Sequence, residues 1–196
     1  YSPWGKRSGA HLNPAVTMTF FRLGKIQGLD AFFYVLAQFA GGLIGLLIAS
    51  LAIGMAIEHP TINYVVTVPG LDGAGVAFAA EACISFGLML AVLIVSNHTK
   101  LNVWTGVFAG ALVAIYIALE APFSGMSMNP ARSFASALPA HRWTDFWVYL
   151  TAPFFGMLLA AECYVRFPGA RRILCAKLHH HNDERCIFFC CYHGVN

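Results

Sequence analysis

Charge is what this sequence has least of. Asp, Glu, Lys and Arg make up 11% of its 196 residues, against 58% hydrophobic residues, where an average soluble domain carries about 25% charged residues. So little charge cannot cover a water-facing globule, which argues against a soluble enzyme, a disordered chain and a nucleic-acid binder. No basic stretch with an apolar leader opens the chain, and its first residue is Tyr1 instead of Met; a processed end or a piece of a longer protein is expected. The six cysteines form no tight Cys-x2-Cys pair. The class that remains is an integral membrane protein.

The few charges leave long uncharged gaps between them. Asp30 and Glu58 bound one apolar run, Glu81 is the single charge between Asp72 and Lys100, Val103 to Leu119 is a third run, and Phe146 to Val165 a fourth. Each can supply the ~20 mainly apolar residues of a bilayer-crossing helix. Glycines interrupt all four (Gly41, Gly42 and Gly45, Gly87, Gly106 and Gly110, Gly156), as close helix–helix approach in lipid requires. Basic residues set the orientation. Lys6, Arg7, Arg22 and Lys25 precede the first run, Lys100 separates the second from the third, and five more follow the fourth, whereas the loop from His59 to Gly75 has none. The N-terminus, the Lys100 loop and the tail are therefore expected on the cytoplasmic side.

Two apolar stretches are too short to cross: Ser8 to Phe21 and Ser124 to Leu138. Both contain Ser-Gly followed by Asn-Pro-Ala, at Asn13-Pro14-Ala15 and Asn129-Pro130-Ala131. Asn is a favoured helix N-cap and Pro a favoured first helical residue, so each tripeptide is a helix start. Three spans separate the copies, an odd number, so the two must enter the membrane from opposite faces as an inverted repeat. The irregular backbone before each start survives at membrane depth only where it is buried in protein or lines water. The arrangement predicted is two half-helices meeting at their N-termini near the midplane. Each end carries roughly +0.5 of a charge, which opposes cations and protons but not a neutral molecule that accepts hydrogen bonds from the two Asn amides.

These segments, Ser8 to Thr17 and Gly125 to Phe134, resemble the aquaporin and glycerol-facilitator family, the major intrinsic proteins, and Glu81 resembles the family's buried glutamate. The resemblance runs from about Ser8 to Tyr164. It implies an all-α membrane fold with an aquaporin-like inverted repeat: here four spanning helices and two half-helices, with the family's first two helices missing. The channel domain is expected over residues 1–165 and a basic Cys/His-rich cytoplasmic tail over 166–196. The resemblance further implies a passive, non-enzymatic channel for water and small neutral solutes in the plasma membrane, a homotetramer with no cofactor. Asn13 and Asn129 are then the donors at the midplane, the carbonyls of Gly9, Ala10 and His11 and of Gly125, Met126 and Ser127 a hydrogen-bonding rail, Arg132 the filter arginine and Glu81 a brace for loop backbone. Water-selective members carry His where this chain has Ile117, and Met126 stands three before the second Asn. An apolar Ile117 favours glycerol-like solutes, while Ser133 after the arginine is a water-channel feature.

Cys175, His179, Cys186 and Cys190 have spacings that a zinc or other soft-metal site tolerates. A flexible or lipidated tail is the competing reading. Among rival functions, a membrane enzyme would need partnered catalysts, yet His11, His59, His98 and His141 sit on separate loops, and a haem bundle would need histidines inside the spans. A non-conducting or truncated structural member of the same family is the alternative left standing.

Overall fold

The computed structural model describes residues 1–166, 173–180, 182 and 184–192, and no strand occurs among them. The α-helices run in the order α1 (Pro3–Ser8), α2 (Pro14–Arg22), α3 (Gly28–Ile53), α4 (Gly73–Ser96), α5 (Thr105–Leu119), α6 (Ala121–Ser124), α7 (Pro130–Ala140) and α8 (Phe146–Arg166). Four stretches are long and apolar enough to cross a bilayer: Gly28–Glu58, Gly73–Ser96, Asn102–Leu119 and Phe146–Arg166. The first and third include a 3-10 turn, at Gly54–Glu58 and Asn102–Trp104. These are the four expected spans, and α2 and α7 are the two short segments between and before them.

The core lies where α4 runs along α8. Leu88, Met89, Val92 and Leu93 of α4 share one buried cluster with Met157, Ala160 and Ala161 of α8. Gly156 makes this approach possible, because a Cβ there would fall on the Ala82 carbonyl. The half-helices fill the space beside this pair: α2 packs on α8 and α3, and α7 on α3 and α8. In contrast, α3 and α5 turn Leu36, Leu47, Val107 and Ile115 outward, apolar faces suited to lipid or neighbouring helices.

Two features differ from the expectation. The single turns α1 and α6 lead into the two half-helix segments; neither is long enough to show a hydrophobic period in the sequence. The tail, for which a flexible or lipidated extension was one of two expectations, folds back on the helical body. Ile173 to Lys177 are buried. The Leu174 amide donates to Asn97 Oδ1 at 2.5 Å and the Phe189 amide to the Lys25 carbonyl at 3.1 Å. Tyr192 donates its hydroxyl to the Ser96 carbonyl. The N-terminal segment, the end of α4 before the Lys100 loop, and the tail therefore share one end of the molecule.

Candidate functional site

The two Asn-Pro-Ala segments are built alike down to their backbone angles. Gly9 ends α1 with φ +78° and ψ 2°, and Gly125 ends α6 with φ +78° and ψ 0°. This left-handed conformation is open to glycine without a Cβ penalty. Ala10 (φ +61°) and Met126 (φ +52°) follow in the same region, where a side chain costs about 1–2 kcal/mol. Asn13 and Asn129 then take extended angles near φ −140° and cap their helices. Their Oδ1 atoms accept from Ala15 N at 2.9 Å and from Ala131 N at 3.1 Å. Tyr34 of α3 donates to the Ser8 carbonyl at 2.7 Å, and Tyr149 of α8 donates to the Ser124 carbonyl at 2.5 Å.

The N-terminal ends of α2 and α7 meet, and each holds the other. Asn13 Nδ2 donates to the Met128 carbonyl at 2.6 Å, and Asn129 Nδ2 donates to the Leu12 carbonyl at 2.9 Å. An amide NH2 carries two hydrogens, so one N–H of each remains after these bonds.

Glu81 organises the backbone before the second copy. Its Oε1 accepts from Ser124 Oγ at 2.8 Å and Ser127 N at 2.6 Å, and its Oε2 accepts from Met128 N at 2.7 Å. The carboxylate is fully buried, an arrangement that only a satisfied polar group sustains. With Ser127 and Met128 turned toward Glu81 by their amides, the carbonyls of Gly125, Met126 and Ser127 accept no hydrogen bond among the described residues, nor does that of Ala10. Gly9 and His11 differ: the Gly9 carbonyl accepts from the tail's Leu178 amide at 3.4 Å, and the His11 carbonyl accepts from Gln38 Nε2 at 2.9 Å.

A groove of about 760 Å³ runs beside the meeting point, lined among others by His11, Gln38, Asn129 and Arg132. Within it Arg132 Nη1 and Gln38 Oε1 are buried with no hydrogen-bond partner among the described residues. Both atoms are closed off from solvent, so the polar groups a small molecule can reach are others of the lining, among them the half-exposed Asn129. Ile117 lies elsewhere, 56% exposed on α5 and outside the groove lining, because α5 packs on α4 and α6 and not on the α3–α7 side. Met126 is buried beneath the second segment.

Sequence reasoning missed Gln38, Tyr34 and the hydroxyl chain in which Thr67 meets Ser133 at 2.9 Å and Ser133 meets Ser127 at 2.5 Å. Only Gln38 left a signal, as the lone amide inside an apolar span. At the other end of the molecule, Cys175, Cys186 and Cys190 come together with His180. His179, the histidine expected there, falls outside this group and meets the Tyr1 ring edge-on, since its neighbour's side chain is the one turned toward the thiols. The hydrogen bond with Cys175, then that of His180, pulls the Cys186 thiol down, and the same hydrogen bond and then burial push Cys175 up.

The profile of the family described as Major intrinsic protein matches residues 2–164. The chain is 38% identical over 164 residues to Aquaporin NIP6-1 of Arabidopsis thaliana, covering 82% of this chain and 51% of that protein. It is 35% identical to Probable aquaporin TIP2-2 of Oryza sativa subsp. japonica, covering 80% and 62%. The chain thus spans about half the length of the curated relatives it matches. The X-ray structure of the aquaglyceroporin from Plasmodium falciparum aligns with a TM-score of 0.69 at 21% identity, over 80% of this chain and 72% of that one; at that identity the likeness concerns the fold alone.

Proposed function

The chain belongs to the major intrinsic protein family, and from that premise we propose that it forms a passive channel for water and for small neutral solutes such as glycerol. The observation that carries this reading is the pair of helix starts in which Asn13 and Asn129 hold each other's segment, beside a groove lined by Gln38, Asn129 and Arg132. A permeant moves from the spare Asn amide hydrogens to the open carbonyls of Ala10 and of Gly125 to Ser127, exchanging one hydrogen bond for another with little change in energy. Cations and protons are turned back twice: by the two helix N-termini that point at each other, and by the fixed charge of Arg132. Glu81 works as a structural brace.

The full-length protein is read as a homotetramer in the plasma membrane with its tail in the cytoplasm, packed through the apolar faces of α3 and α5. Stopped-flow light scattering on proteoliposomes tests the central claim. Water permeability above that of protein-free liposomes, with glycerol uptake and no dissipation of a proton gradient, is expected. Water flux without glycerol flux removes the solute half of the proposal. Absence of both leaves a structural, non-conducting member of the family.

A further inference from the structure

The tail carries chemistry that channel function does not use. Cys175, His180, Cys186 and Cys190 bring one ligand atom each to within 4.8 Å of one another. Cys175 Sγ lies 3.4 Å from Cys186 Sγ, and His180 Nε2 lies 3.0 Å from Cys190 Sγ. Ligand atoms at the corners of a tetrahedron around a zinc ion with ~2.3 Å Zn–S bonds stand about 3.8 Å apart, so small shifts bring all four to bonding distance. Three thiols and one imidazole are also the donor set that such an ion prefers. A disulfide accounts for the group less well: its sulfurs must close to about 2.05 Å, and it would bring in neither His180 nor Cys190. Cys186 also borders a cavity of about 490 Å³ whose lining includes Gln27 and Glu184 together with Arg7 and Arg185.

The cluster also decides where the tail goes. Its first ligand, Cys175, lies one residue before Ala176, whose carbonyl is 2.7 Å from His11 Nε2. Leu178, between the first and second ligands, donates its amide to the Gly9 carbonyl. Phe188, between the third and fourth, stacks on His11 with ring centroids 5.6 Å apart. Its ring lies so close to Gly9 that a Cβ there would stand 2.5 Å from it. Lys177 is 1% exposed, its ammonium held by Asn182 Oδ1 at 2.8 Å and the Glu184 carbonyl at 3.0 Å. Segments that lack a helix or strand of their own converge around the four ligands and cover the Gly9–His11 end of the first half-helix segment.

We propose that Cys175, His180, Cys186 and Cys190 hold a zinc-class divalent ion, and that this ion clamps the tail across the mouth formed by Gly9, Ala10 and His11. The ion site stands on its own geometry; the consequence for flux rests on the channel reading above. Metal binding requires the thiols to lose their protons and orders a segment that has little core of its own.

Cobalt(II) added to the purified, reduced full-length protein tests the site. One cobalt per chain is expected, with thiolate-to-cobalt charge-transfer absorption that zinc displaces. Cys186→Ser should abolish this absorption, and His180→Cys should keep the ion with shifted visible bands. No bound cobalt, or absorption unchanged in Cys186→Ser, overturns the site. Hydrogen exchange tests the clamp without reference to flux: the Leu174 and Leu178 amides should exchange at least tenfold faster once the metal is stripped, and equal rates overturn it. In proteoliposomes, stripping the metal or replacing Phe188→Ala should raise water permeability severalfold. An unchanged, non-zero permeability overturns the gating consequence, whereas zero permeability in every state, with cobalt bound and exchange shifted, overturns the channel reading alone and leaves the clamp in place.

Discussion

Glu81 is buried and Arg132 half-buried beside the meeting point of α2 and α7, and the two charges are held in opposite ways. Glu81 is saturated by three donors within 2.8 Å, whereas Arg132 keeps Nη1 unpaired. Removing each should therefore damage different things. Glu81→Gln puts an amide hydrogen where Met128 N or Ser127 N already donates, and should cost about 1–3 kcal/mol of stability, read as a lower unfolding midpoint in detergent. Arg132→Ala should leave folding intact and raise leakage of protons or monovalent cations tenfold or more, a change of about 1.4 kcal/mol in the barrier, measured by pH-dye quenching in proteoliposomes; a tight Arg132→Ala channel would remove the arginine from the selectivity argument. The Asn residues, Arg132 and Glu81 could be found in the sequence because each is a polar exception in an apolar or patterned stretch. Tyr34 and Thr67 could not, since their roles depend on partners dozens of residues away, and His180 could not be told from His179 because side-chain direction in an irregular segment follows from packing, not spacing.

The four spans were readable because a bilayer imposes a length and forbids charge, and the half-helices because Asn-Pro-Ala recurs in matched context at the head of two short apolar stretches. The turns α1 and α6 were not, being single turns set by what packs around them. How the long helices pair was only partly written in the chain: small residues mark candidate contacts, but Gly110 has nothing within 4 Å of a Cβ, while Gly156 would drive one into the Ala82 carbonyl. The two glycines therefore part company under the same change. Gly110→Ala should be neutral or stabilising by up to about 1 kcal/mol from helix propensity. Gly156→Ala should destabilise by about 1–3 kcal/mol as α4 and α8 are wedged apart. Thermal unfolding followed by fluorescence size exclusion separates them, and equal midpoints would mean that the α4–α8 contact is looser than drawn.

Taken together, the helices and the tail define two unlike ends. One gathers Lys25, Asn97 and the tail; the other carries the loop from His59 to Asp72, which holds no Lys or Arg. With the basic end inside, an impermeant maleimide should label Thr61→Cys on intact cells and Lys100→Cys only after lysis, and the reverse pattern would invert the orientation. The membrane fold class was open to reading from charge placement, and the labelling decides the orientation that the same charges assign. The docking of the tail was not so readable, because Ile173 to Lys177 show neither a helical nor a strand period and are buried through contacts with distant residues, among them His11 and Asn97.

The matched backbone at Gly9 and Gly125 has one more effect. In the proposed channel, two approaches folded from the same recipe favour neither direction of flow, so any rectification must come from the parts that break the likeness, among them the folded tail. With that appendage cut away, osmotic shocks of either sign should drive equal flow.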